Sequence, residues 1–180
     1  VIAVMPLVEN MINEKSHRPG DVIKSHSGKN VEITNTDAEG RLILADALSY
    51  SKKLKPCCLI DIATLTGQAG SIFDKLSIVV LGNNKSLIKK YENCGKEMNE
   101  KVWELPLWSE FHKNLDSNIA DLQNSSKSSA GTINAAMFLQ EFVPPKTDWM
   151  HVDIAGVSYN KQIGATGYSI LSLYELLKTL

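Results

Sequence analysis

The sequence holds only three cysteines, Cys57, Cys58 and Cys94, in 180 residues. Cys57 and Cys58 are adjacent, so on a strand they point to opposite faces. No C-x-x-C and no Cys/His ligand spacing occurs. A disulfide framework and a zinc finger are therefore excluded, and reduced thiols in a cytoplasmic setting are expected. Long hydrophobic runs are also missing. Stretches such as 59–65 and 76–81 fall far short of the ~20 apolar residues of a spanning helix. Neither sign of charge dominates, since 19 Lys and Arg face 20 Asp and Glu for a formal net charge of −1. There is thus no basic field to draw in nucleic acid, and neither nucleic acid nor membrane is an expected partner. No repeat and no low-complexity tract is visible.

What is present describes a globular chain. A hydrophobic content of 43% with so little net charge excludes intrinsic disorder. The length is about that of one domain, commonly ~100–200 residues. A chain of this size buries roughly 70% of its unfolded surface.

Apolar patterning predicts strands over 1–4, 22–24, 31–34, 58–63, 77–81 and 150–154. A turn cluster, His26-Ser27-Gly28-Lys29-Asn30, joins the second and third as a hairpin. Helical periodicity follows over 42–53, 85–99, 132–142 and 169–177. Alternating strands and helices predict an α/β fold with a mostly parallel, mixed sheet. Several strands are apolar on both sides, as expected where helices cover both faces. The run 123–130 is polar and Ser-rich and reads as an exposed loop.

The most informative segment is Asn35-Thr36-Asp37-Ala38-Glu39-Gly40-Arg41-Leu42. It follows a strand and precedes a helix, the place where open α/β sheets build sites. Carboxylates two residues apart, Asp37 and Glu39, can converge on one point. Such oxygen ligands suit magnesium, manganese or zinc and can bridge two ions. Gly40 lets the backbone approach a bound group, and Arg41 offers a permanently charged fork for a planar anion. A plainer reading competes. Thr36-x-x-Glu39 is a capping box, with Thr36 as N-cap and Glu39 at the third helical position. Asp37 would then merely favour the positive helix end. That reading leaves Asn35, Gly40 and Arg41 without a role.

A second segment, Asp61-Ile62-Ala63-Thr64-Leu65-Thr66-Gly67, ends a buried strand with free backbone groups. These could hold a peptide or an oxyanion, or form an ordinary strand-to-loop turn. Asp61 and Asp153 each interrupt an apolar strand, and a buried charge must be paired or metal-bound. His151 and Asp153 share a strand face. A satisfied core network is the simpler account, and neither is taken as catalytic. His112 follows the aromatic stretch 103–111 and reads as packing or surface. His17 and His26 sit in polar turns with no partner in view.

The string at 35–42 resembles the signature of the leucyl (cytosol) aminopeptidase family. The resemblance extends along nearly the whole chain. It includes Glu9-Asn10-Met11, Arg18-Pro19-Gly20-Asp21, Ser27-Gly28-Lys29 and Val31-Glu32 before the signature. Leu44-Ala45-Asp46-Ala47-Leu48, Asp61 to Gly67, Trp103-Glu104-Leu105-Pro106-Leu107, Ala120-Asp121-Leu122, His151 to Gly156 and Gly164-Ala165-Thr166-Gly167 follow it.

The resemblance implies a metalloaminopeptidase that releases N-terminal, leucine-like apolar residues from peptides. It implies two divalent ions, zinc or manganese with magnesium or cobalt as further candidates, and a bicarbonate. Asp37 and Glu39 would be metal ligands, Glu39 bridging both ions. Arg41 would hold the bicarbonate, the general base toward the attacking water. Gly40 and Leu65 would steady that anion through their backbones. Asn35, Ala38 and Thr64 would line the pocket for the first side chain, and Leu65 and Gly67 would bind the substrate backbone. A homo-oligomer, a hexamer by resemblance, is implied as well.

Two departures bear on these expectations. The family draws two lysines and two further aspartates from a segment upstream of the position matching Val1. One lysine and both aspartates are ligands, and the other lysine stabilises the transition state. Residues 1–180 are therefore expected to form an incomplete metallopeptidase catalytic domain. Its apolar start would be a sheet strand cut off from the ligand loop before it, and the chain alone would have negligible activity. The alternative is a non-catalytic fragment or paralogue that keeps the fold and assembly surfaces without the upstream ligands. The second departure is Ser128-Ser129-Ala130-Gly131 in place of paired glycines, expected to alter a loop and not the chemistry. A phosphoesterase fits less well, since phosphate sites recruit glycine-rich N–H nests or several basic groups and only Arg41 is available.

Overall fold

The computed structural model describes residues 1–180. In chain order it contains β1 (Val22–Lys24), β2 (Asn30–Glu32), α1 (Gly40–Ser51), β3 (Cys58–Ala63), α2 (Gly67–Ile72), β4 (Ile78–Gly82) and α3 (Lys85–Glu97). Then come β5 (Val102–Glu104), β6 (Leu122–Gln123), α4 (Gly131–Gln140), β7 (Asp148–Asp153), β8 (Tyr159–Asn160), β9 (Gly164–Ala165) and α5 (Ile170–Thr179). These elements gather into two compact units. One comprises Val1, Cys57–Leu107 and Asp148–Leu180, the other Ile2–Pro56 and Trp108–Thr147.

The first unit is built on a four-stranded sheet in the order β3-β7-β4-β5. Parallel pairs β3–β7 and β4–β5 flank an antiparallel β4–β7 pair, so the sheet is mixed, as expected. In β4, Ile78, Val79, Val80 and Leu81 are all fully buried. A strand buried on both faces shows a continuous apolar run in place of alternation. On one face, Ile78, Val80, Met150 and Val152 pack with Leu87, Ile88, Tyr91 and Cys94 of α3 and Leu176 of α5. The α3 residues recur at helical spacing, which sets one stripe against the sheet. The helix starts where it does because the Asn84 side chain accepts from the Leu87 amide at 2.9 Å, satisfying a donor the first turn leaves open. Buried Glu100 accepts from the amides of Ser169 at 2.8 Å and Ser172 at 3.1 Å, fixing the start of α5. Burial pushes the Tyr91 phenol up, although hydrogen bonds from Ser169 and Ser172 oppose it. Burial likewise raises the Cys58 and Cys94 thiols, and all three cysteines are free.

Helix α2 meets the turn after β7 backbone to backbone. A side chain added at Gly156 would place its first carbon 2.8 Å from the Gly70 Cα. Only glycine permits so close an approach.

The second unit carries the sheet β1-β2-β6. The expected hairpin is present, with β1 and β2 antiparallel and Gly28 at φ 93° in the turn. β2 pairs in parallel with β6, aligning Val31 with Leu122. Helix α1 buries Ala45 and Leu48 and packs against α4. α4 is buried at Thr132 and continuously from Asn134 to Leu139.

Some expectations are corrected. Residues 1–4 form no strand, and Val1, Ile2 and Val4 are exposed. Apolar character does not make a strand without a hydrogen-bonded neighbour. The first helix begins at Gly40, two residues before its apolar periodicity. The short elements α2, β5, β6, β8 and β9 carry too little pattern to be foreseen.

Candidate metal centre

The signature segment leaves β2 and turns into α1 in the second unit. Its conformation excludes the capping box. The residue before the helix is Glu39, at φ −74°, and no side chain caps the first turn. Thr36 stands too early in the chain to serve as N-cap. The Asn35 side chain instead accepts from the Asp37 amide at 3.0 Å, and the Ala38 amide donates to the Asn35 carbonyl at 3.3 Å. Asn local bonds of this kind shape tight turns.

This turn leaves Asp37 and Glu39 exposed while Ala38 between them is buried. Neither carboxylate forms an ion pair. Glu39 accepts from the Asn10 side chain at 3.3 Å. Gly40 is half-buried at the first helical position and Arg41 is buried. One guanidinium nitrogen of Arg41 donates to the Asn124 carbonyl at 2.7 Å, which sets the direction of the fork.

Asn124, just after β6, was not foreseen as part of this site. It falls within the run read as an exposed loop, yet it is fully buried. Its side-chain oxygen accepts from the Thr34 amide at 2.9 Å, the Thr34 hydroxyl at 3.2 Å and the Asn35 amide at 3.3 Å. Its side-chain nitrogen donates to the carbonyls of Asn35 at 2.7 Å and Ala38 at 3.3 Å. The one sequence signal was an amide side chain two residues after Leu122, near the edge of a polar run.

Thr64, Leu65 and Gly67 lie in the first unit, in the loop after β3 and at the start of α2. Thr64 and Gly67 are exposed and Leu65 is half-buried. The Leu65 amide donates to Asp153 at 3.1 Å, so the backbone group left to it for a ligand is its carbonyl. Asp153 also accepts from the Ala155 amide at 3.1 Å. Its neighbour Asp61 accepts from His151 at 2.5 Å and from the Trp149 indole at 2.6 Å. The structure therefore gives the core-network account of Asp61, His151 and Asp153.

Two of the other histidines, His26 and His112, find partners on the second unit. His26 meets the Ser49 hydroxyl at 3.0 Å and its amide donates to Asp46 at 2.8 Å, correcting the expectation of a turn without partners. His112, half exposed, meets Glu141 at 2.9 Å, and Lys29 meets the same carboxylate. Burial would raise Glu141, but hydrogen bonds from Lys29 and His112 outweigh it and hold the carboxyl below its ordinary value. These groups line a cleft of about 370 Å³ that includes none of the signature residues.

The donor chemistry fits divalent ions in part. Asp37 and Glu39 are hard oxygen donors, exposed and unpaired with any cation, as magnesium, manganese or zinc require. No set of three or more His, Cys, Asp or Glu side chains gathers in this chain to hold an ion. Asp37 and Glu39 by themselves are two carboxylates, fewer than the ligand set of a divalent ion.

Residues 1–174 match the model of the cytosol aminopeptidase family, catalytic domain. A probable cytosol aminopeptidase of Geobacter sp. (strain M21) is 45% identical over 184 aligned positions, covering 99% of this chain and 37% of the relative. Proteins of the same name from Buchnera aphidicola (44% identical, 98% of this chain, 36% of the relative) and Phytoplasma mali (43%, 99%, 37%) are similar to it. The chain spans little more than a third of the length of these curated relatives. On the signature loop, its exposed carboxylates and this match, the chain belongs to the cytosol aminopeptidase family.

Proposed function

We propose that this chain supplies the signature loop and part of the substrate-binding backbone of a metal-dependent aminopeptidase acting on peptides with leucine-like N-terminal residues. The observation that carries the reading is the exposure of Asp37 and Glu39, released from any helix-capping duty, beside a buried Arg41. Asp37 and Glu39 would hold two divalent ions, zinc or manganese with magnesium or cobalt as alternatives, together with ligands from an upstream segment. When bound, the paired ions would supply a more acidic attacking water and a polarised scissile carbonyl, and a bicarbonate would supply a proton acceptor. Arg41 would hold that bicarbonate near the loop through its permanent positive charge. The Gly40 backbone, without a side chain, leaves the anion room. Asn35 and Ala38 would face the substrate's first side chain.

In the first unit, Thr64 would contact a substrate side chain. The Leu65 carbonyl and the Gly67 backbone bind the main chain of the peptide. The chain would act within an incomplete domain of residues 1–180, completed upstream, in a cytoplasmic homo-oligomer, a hexamer by family resemblance. The competing reading is a non-catalytic paralogue that keeps the fold.

The deciding experiment is hydrolysis of an N-terminal leucyl amide with Mn²⁺ or Zn²⁺ and bicarbonate. The enzyme would be a polypeptide joining this chain to the upstream ligand segment. Activity abolished by Glu39→Ala supports the enzyme reading. No hydrolysis by the wild-type polypeptide leaves the non-catalytic reading in its place.

A further inference from the structure

We infer that Asn124 is a positioning residue for the signature loop, a role that rests on the aminopeptidase reading above. Its single buried amide joins both ends of the turn that presents Asp37. The oxygen end receives two backbone N–H groups and a hydroxyl from Thr34 and Asn35. The nitrogen end reaches the carbonyls of Asn35 and Ala38. The partners define the orientation of the amide, since N–H groups face one end and carbonyls the other. The main-chain carbonyl of Asn124 meanwhile accepts from Arg41 at 2.7 Å. One residue therefore sets the loop before the first carboxylate, the residue between the two carboxylates, and the arginine after them.

No other residue type offers this pattern at the same size. Aspartate matches the shape but would aim an oxygen at the carbonyls of Asn35 and Ala38. Alanine would leave buried N–H and C=O groups unpartnered. Hydrogen bonds behind ligands fix their orientation, and losing such a bond typically lowers metal affinity or activity by ~10–100-fold. Asn124 touches neither carboxylate, so its effect passes entirely through the loop.

The test uses the polypeptide joined to its upstream ligand segment, with Mn²⁺ as probe. Three readouts are taken: Mn²⁺ affinity by electron paramagnetic resonance, kcat and KM on a leucyl amide, and amide hydrogen exchange. In the wild type, the Thr34 and Asn35 amides should exchange slowly despite lying in a surface turn. Asn124→Asp should weaken Mn²⁺ binding about tenfold or more and lower kcat more than it changes KM. Asn84→Ala, which removes the cap of α3, is the control for lost stability alone and should leave Mn²⁺ affinity unchanged. Fast exchange at Thr34 and Asn35 in the wild type overturns the inference, and needs no variant to fold. So does an Asn124→Asp polypeptide whose Mn²⁺ affinity and kcat stay within about twofold of wild type, or an equal loss in Asn84→Ala. A wild type that neither binds Mn²⁺ nor hydrolyses the amide, yet protects Thr34 and Asn35, refutes the aminopeptidase reading and supports the loop-holding role of Asn124.

Discussion

The Thr66 hydroxyl donates to the buried Asp153 carboxylate at 2.7 Å, tying the loop after β3 to the end of β7. The same hydroxyl accepts from the Ala69 amide at 3.3 Å and so caps α2. Together with the Leu65 and Ala155 amides, this bond leaves Asp153 well supplied with donors. Asp153→Ala should strand them and destabilise the fold by about 3 kcal/mol, the range for hydrogen bonds to a buried charge. Urea unfolding measures this, and a change under about 1 kcal/mol would refute the anchoring role.

The helix starts make opposite predictions for two residues that look alike in sequence. Thr36 reads as an N-cap but makes no capping bond, so Thr36→Ala should change stability by less than about 0.5 kcal/mol. Asn84 does cap α3, and Asn84→Ala should cost about 1 kcal/mol. Thermal unfolding of both variants beside the wild type checks the contrast. A comparable loss in Thr36→Ala would restore the capping box.

The contact between Gly70 and Gly156 leaves no room for a methyl group. Gly156→Ala should destabilise by about 1–3 kcal/mol, the cost of overpacking, because backbone cannot swing aside as a side chain can. Gly164→Ala tests a different cause, since nothing lies within 4 Å there but φ is 82°. Its loss should be near 1 kcal/mol, set by backbone strain alone. Denaturant midpoints for the two variants separate crowding from strain.

Glu141 makes stability depend on pH in a definite direction. Burial opposes its ionisation, but Lys29 and His112 lower its pKa from the ordinary 4.5. A depressed folded pKa adds stability above the unfolded value, and that stability fades as pH falls through the folded value. Glu141→Gln should therefore cost about 0.5–1 kcal/mol at pH 7, a modest sum because the pair is partly exposed. The difference from wild type should shrink steadily below about pH 4.5. A gap that stays constant with pH would assign the loss to packing.

Much of the architecture was legible because burial writes itself into composition. β3 was placed at its observed bounds, and β4 and β7 to within two residues, since strands covered on both faces are largely apolar. α3 was marked by its apolar stripe and its stop near Asn99. The signature loop was legible as a unit because strand, paired carboxylates, glycine and arginine occur together. What stayed hidden depends on partners distant in sequence. Residues 1–4 are as apolar as a strand, but pairing decides strand formation. Thr36 and Glu39 have capping-box spacing, but the Asn35 turn shifts the helix start to Gly40. Asn124 sits in a polar run, and only its burial separates it from the serines that follow.

The bonds that Asn124 makes to the signature loop join residues 83 to 90 positions apart. In a chain made from its N-terminus, Asp37 and Glu39 emerge well before the residue that shapes their turn. Closing so long a stretch is an entropic burden that grows slowly with length, by about 0.6 kcal/mol for each doubling. Contacts of this span form late and slow the folding of the structures that rely on them. The acidic loop can therefore take its final shape only once β2 and β6 have met. A nascent or partly folded chain carries both carboxylates without the turn that presents them, so on the proposed reading metal capture would wait for completion of the fold.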